Sequence, residues 1–216
     1  MKLLLVRHGN TFAPGDTPVR VGANEDLPLT AEGEAQALAL AEQLATANLC
    51  PDVFICGPLK RTRRHTDIIM THLAAPGSAT IDARLTEIDY GPWGGLSDDQ
   101  IVALFGTQAE QELRAWDEKS EMPATWAPRP AEITANLRAL TNEIAAATGG
   151  GTALICSSNG ILRFFLELTA DGLAHHQAAG RAKMSTGAAS MLEITDGTAR
   201  VLFWNLKAGS ALPAGF

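Results

Sequence analysis

Three short apolar runs punctuate the chain: Lys2 to Val6, Asp52 to Cys56 and Thr152 to Cys156. Each stops at a polar turn. Runs of this length read as strands buried on both faces, and a helical period after each gives the βα signature of a parallel sheet. The helical stretches carry start and stop signals. Thr30 precedes Ala31 to Asn48, rich in Ala, Leu, Glu and Gln, a good helix with an N-cap. Arg61 to Leu73 is a second helix, and Ile161 to Leu168 follows the third strand in the same way. Ser97 and Gln100 have capping-box spacing before Ile101 to Phe105. Pro130 suits a first helical turn, with Ile133, Leu137, Leu140 and Ile144 as the apolar stripe and Gly149 to Gly151 as the stop. Near the C-terminus, Ala189 to Ile194 and Ala199 to Trp204 flank Asp196-Gly197, which predicts a hairpin. Lys119 to Arg129, with Pro123 and Pro128, reads as a loop. The pattern predicts an α/β fold over residues 1–216 as a single domain: a three-layer αβα sandwich, its central sheet mostly parallel, with an antiparallel hairpin at one edge.

Composition narrows the function classes. The chain has 216 residues, 46% hydrophobic and 19% charged, with a net charge of −7. That composition is globular, and the acidic balance argues against a nucleic-acid partner. No run reaches the length of a membrane span, and the apolar N-terminus meets Arg7 and His8 too soon for a signal peptide. Cys50, Cys56 and Cys156 stand in apolar surroundings and read as buried, reduced thiols of a cytoplasmic protein. No spacing of His and Cys suggests a metal. The edge of the C-terminal hairpin is a surface on which a second copy could pair into a homodimer.

Ligands of open α/β sheets sit beyond the carboxyl ends of the strands. The first strand is followed by Arg7, His8, Gly9, Asn10 and Thr11, and the second by Gly57, Lys60, Arg61, Arg63, Arg64 and His65. Two basic turns in an acidic chain suit a phosphate. A neutral imidazole can attack phosphorus when its other nitrogen is fixed by a hydrogen bond. On its own, the Arg7-His8-Gly9 tripeptide reads first as a satisfied histidine at a strand end. Lys60 to Arg64 reads equally as a solvated helix face, with Arg61 the member placed to turn inward. The third strand is followed by Ser157, Ser158, Asn159 and Gly160, an anion cradle at a helix start in which Asn159 is the sizeable polar side chain. A fourth segment, Arg84 to Leu96, packs Glu87, Asp89, Tyr90, Trp93 and several glycines into an irregular loop. Glu87 is a candidate general acid, its carboxyl kept protonated by partial burial near Asp89.

Together these segments resemble the histidine phosphatase, or phosphoglycerate-mutase-like, superfamily. Leu3 to Thr11 is similar to its N-terminal signature and Gly22 to Ala37 to its D-x-P-L-T-x-x-G-x-x-Q-A stretch. Gly57 to Thr66 and Leu85 to Leu96 match two further motifs in the expected order. The resemblance implies a phosphatase with His8 as the phosphorylated nucleophile, and Arg7 and Arg61 gripping the phosphoryl oxygens. Glu87 would be the proton donor, and no metal or cofactor is implied. Asn10, Thr11, Asn159 and Gly160 would complete the phosphate and substrate contacts. The substrate is a small phosphorylated metabolite whose other half meets the loop from Phe12 to Asn24, Tyr90, Trp93 and Trp116 or Trp126. The family's second histidine falls where Asn159 stands, so the alternative is a weakened, phosphate-ester-binding protein of the same fold. A mutase ranks last, since mutases of the family carry longer insertions and both histidines.

Overall fold

A computed structural model describes residues 1–213. The predicted strands appear as β1 (Lys2–Arg7), β2 (Val53–Cys56) and β4 (Thr152–Ser157), and a two-residue β3 (Thr80–Ile81) adds to one edge. The hairpin forms from β5 (Ala189–Thr195) and β6 (Thr198–Leu206), turning at Asp196 and Gly197, both at positive φ. The strand order is β3-β2-β4-β1-β5-β6. Strands β2, β3 and β4 run parallel with β1, while β5 runs antiparallel to β1 and β6 antiparallel to β5. The central strand alternates strictly: Leu3 and Leu5 pack into one core and Leu4 and Val6 into the other, all fully buried. Each such side chain contributes about 1.5–3 kcal/mol of burial, which is why the run is apolar on both faces.

The helices α1 (Ala31–Thr46) and α2 (Lys60–His72) cover one face through Leu40, Leu44, Ile69 and Met70. On the other face lie α3 (Asp98–Lys119), α4 (Pro130–Thr148) and α6 (Gly172–Ala178), with Leu113, Trp116, Ile133, Leu137 and Leu173 in the core. The capping box closes on Ser97 and Gln100, and Gly149 ends α4 in the left-handed conformation. Two expectations change, over Ile161 to Leu168 and at Cys50. The helix predicted over Ile161 to Leu168 is a single turn, α5 (Asn159–Leu162), followed by a 3₁₀ segment, Arg163–Leu168. Arg163, Phe164, Phe165, Leu166 and Leu168 are all buried there, so no polar stripe sets a 3.6-residue period. Helix α3 is kinked at Gly106, φ 75°. Cys50 is exposed, because it lies in the loop ahead of β2 rather than in the sheet as Cys56 and Cys156 do. No helix among the described residues is long and apolar enough to cross a membrane.

Candidate active site

The carboxyl end of β1 is gripped from both sides. Arg7 N–H donates to Ala188 O (3.0 Å) and His8 N–H to Ser157 O (3.1 Å), so the backbone carrying both side chains cannot drift. His8 is buried, and its Nδ1 lies 2.8 Å from the Gly9 carbonyl oxygen. A carbonyl only accepts, so Nδ1 carries the proton and Nε2 keeps its lone pair. Burial, reinforced by Arg61 and then Arg7, holds the His8 pKa well below the usual histidine range. The imidazole is therefore neutral.

Behind Gly9 stands a second buried histidine. Gly9 N–H donates to His65 Nδ1 at 3.0 Å, so His65 is the opposite tautomer, protonated on Nε2. Burial lowers its pKa to about 3. The Gly9 peptide group thus joins two neutral imidazoles, one by its oxygen and one by its N–H.

Arg61 is fully buried on the first turn of α2 while Lys60, Arg63 and Arg64 are exposed. Its fork is held by backbone oxygens of the preceding loop: Nη1 on Glu25 O (2.7 Å), Nη2 on Gly22 O (3.0 Å) and Val21 O (3.3 Å). That loop is itself tied by Gly22 N–H to Glu25 Oε2 (2.7 Å). The stretch from Gly22 onward is therefore an arginine holder. Half-buried Arg7 donates from Nη1 to Met184 O. The Nε atoms of Arg7 and Arg61 have no partner among the described residues. Burial lowers both arginine pKa values, against the opposing pull of the Glu87 charge.

Glu87 is buried, its Oε1 accepting from Ile88 N–H (2.8 Å) and its Oε2 from Gly160 N–H (3.0 Å). A Cβ on Gly160 would sit 2.3 Å from Glu87 Oε1, so the glycine is the condition for this approach. Asn159 Oδ1 accepts from Met184 N–H at 2.9 Å, which fixes the amide and leaves Nδ2 without a hydrogen bond among the described residues.

These side chains share a cleft of about 670 Å³, lined by Arg7, His8, Asn10, Thr11, Arg61, Glu87, Tyr90, Trp116 and Asn159 among others. The expected set converges with two exceptions. Gly160 gives its N–H to Glu87 rather than leaving it for an anion. Asp89 does not line the cleft and accepts from Gly91 N–H (2.8 Å) instead. Of the aromatic candidates, Tyr90 and Trp116 line the cleft, while Trp93 and Trp126 stack edge-on behind them in the core. Sequence reasoning missed Arg163, Lys183 and Thr186, which also line it. Arg163 did leave a signal, as the only cation in an otherwise apolar run. The segment through Met184 left none, because its role is carried by backbone atoms.

The model of the histidine phosphatase superfamily (branch 1) matches residues 3–207. The chain is 32% identical over 122 residues to the 2,3-bisphosphoglycerate-dependent phosphoglycerate mutase of Brucella ovis, covering 56% of this chain and 57% of that protein. It therefore spans little more than half the length of this curated relative. Among solved structures, a mycobacterial glucosyl-3-phosphoglycerate phosphatase complexed with VO3 superposes with a TM-score of 0.77 at 22% identity, over 95% of this chain and 99% of that one. The alpha-ribazole phosphatase of Shigella flexneri gives 0.74 at 22% identity, over 99% and 100%. At that identity the likeness is one of fold.

Proposed function

Because the chain belongs to the histidine phosphatase superfamily (branch 1), we propose that it hydrolyses a small phosphomonoester through a phosphohistidine on His8. The observation that carries this is the fixed, neutral His8 imidazole facing a cleft with two guanidinium groups, Arg61 buried and Arg7 half-buried, neither in an ion pair with a carboxylate among the described residues. Arg7, Arg61 and the Asn159 Nδ2 bind the phosphoryl oxygens and stabilise the charge that spreads over them in the transition state. His8 Nε2 attacks phosphorus as the ester P–O bond breaks, and the leaving oxygen takes a proton from Glu87. Glu87 then accepts a proton from water, whose oxygen attacks the phosphohistidine; phosphate leaves and His8 is regenerated. The positive charge on phosphorylated His8 is delocalised through Nδ1–H to Gly9 O, a bond already in place.

A test is release of p-nitrophenol from p-nitrophenyl phosphate. His8→Ala is expected to lose at least about 10³-fold in kcat, and acid-labile, alkali-stable phosphate should be trapped on the wild type only. Equal activity in the two proteins would sink the proposal. The Asn159 amide favours a second reading, a phosphate-ester binder that turns over weakly, since one of its two polar atoms is committed to Met184. Micromolar phosphate affinity without product release would decide for it. A mutase, the activity named for the Brucella relative, would transfer the phosphoryl group with no net phosphate released.

A further inference from the structure

The peptide unit that receives His8 has a second partner behind it. His8 Nδ1–H donates to the Gly9 carbonyl at 2.8 Å. That carbonyl and the Asn10 N–H belong to one peptide unit, and Asn10 N–H donates to Gln36 Oε1 at 2.9 Å. A main-chain N–H only donates, so the Gln36 amide is turned with its oxygen toward Asn10. Its Nε2 makes no hydrogen bond among the described residues. The result is a directed chain, imidazole to peptide and peptide to side-chain amide.

Gln36 comes from the second turn of α1 and does not line the cleft. Its side chain is half-buried and lies against Gly187, where a Cβ would stand 2.7 Å from Gln36 Cβ. Gly187 N–H in turn donates to Arg7 O and His8 O, both at 3.1 Å. The Asn10 carbonyl is tied to α1 separately, accepting from Thr30 N–H (2.9 Å) and Thr30 Oγ1 (3.2 Å). The turn is thus held in place by Thr30 and Gly187. Gln36 adds a bond at the one N–H that shares a peptide unit with the His8 acceptor.

An N–H that donates shifts electron density onto the carbonyl oxygen of its own peptide unit, so linked bonds strengthen one another, by roughly 10–30% per bond. Phosphorylation at Nε2 leaves Nδ1–H in place and turns a neutral ring into a cation, whose hydrogen bond to an oxygen is the stronger kind. Around the ring, Arg61 and His65 from α2 and Arg7 from β1 disfavour the charged form, and the Gly9 carbonyl is the group that favours it. Whatever sharpens that carbonyl therefore acts on the intermediate more than on the resting enzyme.

We propose that Gln36 is a positioning residue of the nucleophile: acting through the Gly9–Asn10 peptide, it strengthens the acceptor of His8 Nδ1–H and stabilises the phosphohistidine. The proposal rests on the phosphatase reading above. In the first step the Nε2–P bond replaces the ester P–O bond, the leaving oxygen takes its proton from Glu87, and Nδ1 keeps its own. In the second, water oxygen replaces Nε2 on phosphorus and the electron pair returns to the ring. A better-stabilised cation is a poorer leaving group, so the chain favours formation of the intermediate and slows its hydrolysis.

The test uses two substitutions with opposite expected signs. Gln36→Glu keeps an oxygen for Asn10 N–H and makes it anionic, while Gln36→Met fills similar space without that acceptor. In isotope-labelled free protein, the His8 Hδ1 resonance should move downfield in Gln36→Glu and upfield in Gln36→Met. With p-nitrophenyl phosphate, rapid-quench trapping should give a phosphohistidine lifetime about 3- to 10-fold longer in Gln36→Glu and shorter by a similar factor in Gln36→Met. A residue that only braces the turn would move both variants the same way. Shifts of one sign in both, or none in either, overturn the proposal. If Gln36→Met does not fold, Gln36→Glu decides against the wild type, and an unchanged resonance and lifetime overturn it. If no phosphohistidine forms in any of the proteins, the phosphatase reading fails by itself. The resonance then decides for Gln36: opposed shifts uphold its action on His8, and parallel shifts overturn it.

Discussion

Asn159 combines two tasks that substitution can separate. Its Oδ1 holds the Met184 backbone, which in turn receives Arg7, and in the proposed mechanism its Nδ2 is the donor offered to the phosphoryl group. Asn159→Asp keeps an acceptor for Met184 N–H and replaces the donor with a negative oxygen. We expect little change in thermal stability and a fall in kcat of about 10²–10³-fold; unchanged turnover would remove Nδ2 from the mechanism. Asn159→Ala should lose less turnover and more order in the Met184 segment. At this scale the site was largely legible. Arg7 and His8 stood at the turn after β1, Arg61 at the start of α2 after β2, and Glu87 in an irregular loop, places where side chains do chemistry. Arg163 was passed over although it interrupts an apolar run, and Gly160 was misjudged because an N–H at a helix start says nothing of which acceptor will reach it.

Between elements, the contact that places the His8 turn is made of backbone. The turn after β1 runs against the first turn of α1, where a Cβ on Gly33 would stand 2.2 Å from Asn10 O. By helix propensity alone, Gly33→Ala would stabilise α1 by roughly 1 kcal/mol. The clash with a rigid carbonyl reverses that sign. The expected net loss is about 1–3 kcal/mol in urea unfolding, with a fall in kcat as the His8 turn is displaced; a gain in stability would refute the account. Strands and long helices were readable because their apolar spacing is strict, and the capping box marked α3 to the residue. The two-residue β3, the 3₁₀ segment and α6 were not, since each owes its form to neighbours rather than to its own period.

For the molecule as a whole, acid is the stress to which the site is most exposed. His8 and His65 both have folded pKa values below the unfolded value of about 6.5. The unfolded chain therefore binds more protons, and their contribution is complete above pH 6.5 and lost as the pH falls toward about 3. The urea midpoint should drop over that window. His65→Asn, whose Oδ1 can still accept Gly9 N–H but does not titrate, should be somewhat less stable at pH 8 and show a shallower acid slope. A parallel slope would exonerate His65. The hydrogen bond from Arg7 to Met184 spans 177 residues of chain, and it bears on the order of events during synthesis. A ribosome that has released residues 1–180 has already made His8, Arg7, Arg61 and Glu87, yet not the backbone against which Arg7 and Asn159 are set. The geometry of the candidate site is thus completed only once the chain has been made through Met184.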